Sequence, residues 1–385
     1  MTTDWAVAGA AKRAKLKLRP SQEARKPTAA DPARTVGRHG LESLGPIAAG
    51  AFSTILRVKH LESGETFAVK TFDISKCDKE PCVGEARDRE LTVLRQLREA
   101  GAHRQIANLV GEHSDAAFQY AVLEFCGGGT LKRYLDIVRK GMPTCPSGPA
   151  GLPASLAARL TGQLAAALRH LHNLEIAHRD VKPANVMLTG QSKDLSIKLC
   201  DFGFAIGHCG SERQTKMVGT PAYLAPELLA PEPLSYLGRP VDLWAFGAVV
   251  YEMIHGHFAF SGASLDQLQS RIRAVNHQPI EKKLSRGPRA IIVGLLVHDP
   301  AKRLTAEQVL AKPWVADAFR EHGCSDELKE QAAAPNQAQQ KQPPVVLVDS
   351  PAPFVELDSS AAKMAAKIPL VEVAAGKYSL EELSA

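Results

Sequence analysis

No apolar run in this chain of 385 residues is long enough to span a membrane. The N-terminus lacks the apolar core of a secretory leader. Internal repeats are missing as well, which excludes a solenoid. Cysteine is sparse: Cys77, Cys82, Cys126, Cys145, Cys200, Cys209 and Cys324 are scattered and odd in number. That argues against a disulfide framework and for a reducing compartment, cytoplasmic or nuclear. Cys77 and Cys82 have no His/Cys pair to complete a zinc set. Charge of one sign is also missing from most of the chain. Residues 1–38 hold nine Lys/Arg against three Asp/Glu, and this net +6 equals the excess of the whole chain. A solvated, disordered arm is the simplest reading of that stretch. Nuclear import, an acidic partner or an organellar presequence are the alternatives.

What remains, at 45% hydrophobic and 23% charged, suits a globular protein with a sizeable core. Its most informative feature is His178-Arg179-Asp180-Val181-Lys182-Pro183-Ala184-Asn185, followed about twenty residues on by Asp201-Phe202-Gly203. The first run reads H-R-D-x-K-x-x-N and the second D-F-G. Each residue is common, whereas the ordered pair is not. Together they resemble the catalytic centre of the protein kinase family. The resemblance covers roughly residues 41–317. It implies an α+β, two-lobed protein kinase fold, with a small β-rich N-lobe over 41–125 and a larger helical C-lobe over 127–317. A basic tail (1–40) and a largely disordered tail (318–385) flank it.

The resemblance also implies roles. Asp180 accepts the proton of a substrate hydroxyl, Lys182 steadies the γ-phosphate, and Asn185 and Asp201 hold Mg²⁺. Thr66-Phe67-Ala68-Val69-Lys70 reads as a strand. Its Lys70 matches the lysine that contacts ATP phosphates. The expected carboxylate partner lies on a helix over 87–97, where Leu91, Leu94 and Leu97 fall at helical spacing. Glu90 is assigned, with Glu85 as the fallback.

The phosphate-covering loop departs from the family pattern G-x-G-x-x-G-x-V. Here Ile47 leads into Ala48-Ala49-Gly50-Ala51-Phe52-Ser53-Thr54-Ile55, and only the middle glycine survives. Glycine there lets backbone approach phosphate without a Cβ, and Ala48 and Ser53 are small substitutes. The Gly-Ala-Phe-Ser form resembles loops of the calmodulin-dependent kinase group. No basic amphipathic helix follows Trp314, so calcium control does not come with it. By resemblance Ala68 and Met187 sandwich the adenine, Leu123 is the gatekeeper, and the backbone of Glu124-Phe125-Cys126 bonds the adenine edge. Cys200, next to Asp201, would meet electrophiles entering that site.

Lys182 and Gly219-Thr220-Pro221 are the serine/threonine forms, with Thr220 expected to bond the Asp180–Lys182 pair. Gly219 to Glu227 resembles a protein-substrate platform, which argues against a small-molecule kinase. Glu227 is expected to pair with Arg303, and Asp242 to brace the catalytic loop. Leu224 disfavours a proline-directed preference. Thr130 and Ala184 stand where basophilic relatives carry acids. Arg179 is the residue with which an activation-loop phosphate pairs, yet Lys216 occupies one family phosphosite. Thr215 and Ser211 are the remaining acceptors. The expected function is ATP- and Mg²⁺-dependent phosphorylation of serine and threonine on proteins. A catalytically weak scaffold is the alternative, since fold alone does not guarantee activity. Protein substrates and a regulatory partner for the tails are expected, and no nucleic acid. A Gly/Pro-rich stretch over 141–151 reads as an inserted surface loop. The apolar runs at 345–348, 354–357 and 368–371 read as part of a disordered tail with no role, with docking on a partner or on the kinase itself as the alternative.

Overall fold

A computed structural model describes residues 31–49, 53–141, 151–190, 194–230 and 234–321. They fall in two compact units: the described residues up to Arg87 with Leu109–Phe125, and Asp88–Asn108 with the described residues from Cys126 on. The apolar runs at 345–348, 354–357 and 368–371 lie outside the described residues.

The first unit is a five-stranded antiparallel sheet. Ahead of it, α1 (Pro32–Thr35) starts on Asp31, whose carboxylate accepts the Ala33 N–H at 3.0 Å. The strands are β1 (Leu41–Ala49), β2 (Ser53–His60), β3 (Thr66–Asp73), β4 (Leu109–Ser114) and β5 (Phe118–Glu124), in the order β1-β2-β3-β5-β4. Alternating β-branched and large apolar residues suit a pleat with one buried face. Leu56, Val58, Phe67, Val69, Tyr120 and Val122 pack there with Val36 and Leu41. Pro46 has no N–H to give a ladder, and it sits in the edge strand β1, where register slips on both sides of it.

Residues 31–40, ahead of the expected boundary at 41, take part in the fold. Val36, in the turn after α1, is 1% exposed in the core. The Thr35 hydroxyl lies 2.5 Å from the Tyr120 phenol, which donates to Asp115 at 2.8 Å. Part of the basic stretch is therefore structural.

Two helices follow β3: α2 (Ile74–Lys79), capped by the Asp73 carboxylate, and α3 (Pro81–Ala100). The helix foreseen over 87–97 is longer, with proline at its first position, where no N–H is missed. From Asp88 on it belongs to the second unit. There the Gln96 amide donates to the Leu174 carbonyl at 3.1 Å.

The second unit adds α4 (Leu131–Gly141), α5 (Ala154–Asn173), the β6 (Val186–Thr189) and β7 (Ser196–Leu199) hairpin, α6 (Gly238–His255), α7 (Leu265–Arg273), α8 (Arg286–Leu295), α9 (Ala306–Leu310) and α10 (Pro313–Glu321). α5 is rich in Ala and Leu, strong helix formers. α6 is apolar on all sides and forms the centre, with Trp244, Phe246, Val249, Val250 and Tyr251 fully buried. It stops at Gly256, whose φ of +71° is left-handed and favours glycine.

The Gly/Pro-rich stretch is not surface throughout. Residues 142–150 lie outside the described residues, but Leu152 is buried and its N–H donates to the Met253 carbonyl at 2.7 Å. A Cβ on Gly151 would collide with the Ile254 carbonyl, so only glycine fits that approach.

Candidate functional site

The loop between α5 and β6 is built around one buried carboxylate. Asp242 on α6 is fully buried and accepts the backbone N–H groups of His178 (2.8 Å) and Arg179 (2.7 Å), with His172 Nε2 at 3.0 Å. A buried charge persists only when so satisfied. The brace expected from Asp242 is present. His178 adds a second tie. Its Nδ1 accepts the Asp180 N–H at 3.2 Å, which puts the ring proton on Nε2, 3.0 Å from the Cys200 carbonyl. One imidazole thus links the catalytic loop to the residue before Asp201.

Asp180 is 5% exposed at the end of these ties. Its Oδ1 accepts from the Thr220 hydroxyl at 2.8 Å. Its Oδ2 faces Lys182 Nζ at 2.9 Å and accepts from Asn185 Nδ2 at 3.0 Å. Lys182 Nζ also donates to Thr220 Oγ1 at 2.8 Å, the bond foreseen for Thr220. Asn185 Nδ2 further donates to the Asp180 carbonyl at 2.9 Å. With the amide nitrogen so committed, Oδ1 is the Asn185 atom left to face a cation.

Asp201 is exposed and holds φ +66°. Arg179 holds φ +62°. Both are non-glycine residues in the left-handed region, which is strained and common at functional sites. A Cβ built on Gly203 would lie 3.6 Å from Asp201 Oδ1 and 3.7 Å from Glu90 Oε2. Gly203 thus stands between these two carboxylates, and Glu90 is buried. Met187 is half-buried on β6, bridged to Thr130, and Cys126 is buried.

In the first unit the register places Ile55 opposite Lys70 and Leu123 opposite Ala68. Ala68 and Lys70 are two apart, so they share a face with these cross-strand partners. Lys70 is 9% exposed, and its Nζ lies 5.7 Å from the centre of the Phe72 ring. Ala48 pairs with Ile55, and Ser53 pairs with Phe72. Ile47, Ala48 and Ala49 are exposed, and Glu124 is half-buried. Gly50, Ala51 and Phe52 lie outside the described residues.

The platform after Gly219 is anchored as foreseen. Arg303 donates to both Glu227 oxygens at 2.7 and 2.6 Å and lies over the Trp244 ring. Not foreseen is Glu252, fully buried on α6, which accepts from the Tyr223 hydroxyl at 2.6 Å and from Arg139 at 2.6 Å. Burial, and then the Glu252 charge, push the Tyr223 phenol well above its ordinary pKa. Tyr236 was missed too: its hydroxyl accepts from Arg179 at 3.0 Å. Its spacing of six residues before Asp242 is the sole signal in the sequence.

The donor set fits a hard divalent cation, since Asn185 and Asp201 supply an amide and a carboxylate oxygen. Among the described residues no group of three or more His, Cys, Asp or Glu forms a metal site by itself. No described helix is long and apolar enough to cross a membrane.

Residues 41–315 match the model of the protein kinase domain. Calcium/calmodulin-dependent protein kinase type II of Caenorhabditis elegans is 30% identical over 274 residues, covering 70% of this chain and 35% of that protein. Serine/threonine-protein kinase ULK3 of Homo sapiens is 34% identical over 228 residues, covering 59% of this chain and 44% of that protein. Serine/threonine-protein kinase RAD53 of Saccharomyces cerevisiae is 33% identical over 281 residues, 69% of this chain and 32% of that protein. The chain thus spans less than half of each of these relatives.

Proposed function

This chain belongs to the protein kinase domain family, with its two-lobed α+β fold, and from that premise we propose that it transfers the terminal phosphoryl group of ATP to serine or threonine hydroxyls of proteins. The observation that carries the reading is the bonded set around Asp180. Thr220, Lys182 and Asn185 hold both carboxylate oxygens at 2.8 to 3.0 Å. A carboxylate so fixed is a ready acceptor for the proton of an incoming hydroxyl. That hydroxyl oxygen bonds to phosphorus as the bond to the ADP oxygen breaks. Lys182 keeps positive charge beside the reacting group, where charge spreads over the phosphoryl oxygens.

Asn185 and Asp201 are assigned to Mg²⁺, which when bound neutralises phosphate charge. Lys70 is assigned to the phosphates and Glu90 to its support. Ile47, Ala48, Ala49, Gly50, Ala51, Phe52, Ser53 and Ile55 are assigned to covering the nucleotide. Ala68, Met187, Glu124 and Cys126 are assigned to its base. The segment Gly219 to Glu227, tied down through Glu227–Arg303, would receive the protein substrate. A catalytic domain over 41–317, tails that take a regulatory partner and a cytoplasmic or nuclear location complete the proposal.

The test is phosphate transfer from ATP and Mg²⁺ to a mixed Ser/Thr peptide library, with Asp180→Asn as control. Transfer that the substitution lowers at least 100-fold supports the reading. ATP binding in a thermal-shift assay without any transfer sinks it in favour of a scaffold.

A further inference from the structure

Arg179 has two of its side-chain donor atoms, Nε and Nη1, engaged by neutral groups of its own chain. Its Nε donates to the Phe204 carbonyl at 2.8 Å and its Nη1 to the Tyr236 phenol oxygen at 3.0 Å. The phenol passes its one proton to the Lys216 carbonyl at 2.8 Å. Tyr236 is 2% exposed. Burial raises its pKa, against the opposing pull of Arg179, so the hydroxyl stays protonated and able to donate.

The same stretch is held at further points. The Tyr236 and Gln214 backbones exchange bonds of 3.1 and 2.7 Å. Arg213 donates to the Ser235 hydroxyl (2.6 Å) and carbonyl (2.9 Å). Arg239 Nε donates to the buried Cys209 sulfur at 3.3 Å while its Nη2 pairs with Glu175. Residues 209–216 are thus zipped onto 235–239, just ahead of the Asp242 that holds the catalytic loop. A phosphate taking both Nη atoms of Arg179 would have to displace the Tyr236 bond at Nη1, beside a backbone that carries Lys216.

We propose that Tyr236 is a positioning residue that satisfies Arg179 in place of an activation-segment phosphate, so that the segment is ordered and the site competent without phosphorylation. This rests on the kinase reading above, and the experiment separates the two. The full chain is treated with a broad-specificity phosphatase and shown by mass spectrometry to carry no phosphate over 204–220. Peptide phosphorylation should then stay within about twofold of the untreated protein. Tyr236→Phe keeps the ring and removes the hydroxyl. It should lower kcat about tenfold at unchanged KM for ATP and speed backbone hydrogen exchange over 209–216.

The exchange arm needs no activity. Slow exchange over 209–216 in the unphosphorylated chain, lost in Tyr236→Phe, supports Tyr236 as the residue that orders the segment even if no phosphate is transferred; the kinase reading, and with it the competence of the site, then fails while the ordering role stands. If Tyr236→Phe does not fold, the exposed Arg213→Ala should open the same segment, and unchanged exchange there counts against the zipper. Two results overturn the proposal. One is fast exchange in the dephosphorylated chain that slows on phosphorylation. The other is activity at least tenfold lower after dephosphorylation and recovered by rephosphorylation.

Discussion

The catalytic loop, 178–185, and the β1–β2 hairpin, 47–55, are both assigned to ATP chemistry, but they are held in opposite ways. In the loop, side chains hold backbone: Asp242 takes two N–H groups, His178 takes a third, and Asn185 returns to Asp180. Each bond demands one residue type at one spacing. In the hairpin the described pairs, Ala48–Ile55 and Ala49–Thr54, rest on the main-chain ladder while Ile47, Ala48 and Ala49 stay exposed. A ladder asks little of the side chain. The family pattern is therefore intact where side chains support the structure and eroded where backbone does.

Four changes test that contrast. Asp242→Ala leaves two buried N–H groups and His172 without their acceptor, and should cost about 3–5 kcal/mol in thermal unfolding. A loss under about 1 kcal/mol would put the loop on the same footing as the hairpin. Arg303→Ala strips Glu227 of a bidentate partner in the same helical unit and should cost about 3 kcal/mol. An unchanged melting temperature would deny the platform its anchor.

The third change probes a buried polar contact that no motif marks. His103 stacks on His170 at 4.5 Å, and burial first, then His170, Lys198 and Arg169, lower its pKa to about 3. His170 is shifted the same way, by burial and Arg169. The unfolded imidazole titrates near 6.5, so above that pH neither state gains a proton. Below it only the unfolded chain does, and stability should fall by about 1.4 kcal/mol per pH unit for His103 alone, roughly 2 kcal/mol at pH 5. His103→Gln should flatten the urea midpoint between pH 6.5 and 5, and an unaltered slope would assign the acid sensitivity elsewhere. The smallest effect belongs to the hairpin. Ala48→Gly should alter KM for ATP by less than about threefold at unchanged kcat, whereas a tenfold gain would mean the missing glycine matters.

The same contrast explains what could be read from the sequence. Asp180, Lys182 and Asn185 stand out because their mutual bonds are local, so spacing records them, and Asp201 stands out through the short motif it opens. The Asp242 brace, the Glu227–Arg303 pair and the Thr220 bonds came through the family resemblance, and the structure places them as expected. Tyr236 did not stand out, because its partner Arg179 lies 57 residues away and a lone tyrosine has no periodicity. Val36 was hidden for another reason: one apolar residue among basic neighbours gives no pattern, although it completes the sheet core. The early start of α3 was masked by Cys82 and Gly84, both weak helix formers that follow its first proline.

Arg179 and Asp201 hold left-handed backbone at φ +62° and +66° without being glycine, at a cost of about 1–3 kcal/mol each. A redesign scored on folding stability alone would be drawn to glycine at both positions, and the relaxed chain would lose the side chains proposed to hold Mg²⁺ and to order the segment. If the proposed roles hold, function and stability pull apart at these two residues, and a survey of tolerated substitutions should find them intolerant of the one residue that their backbone favours.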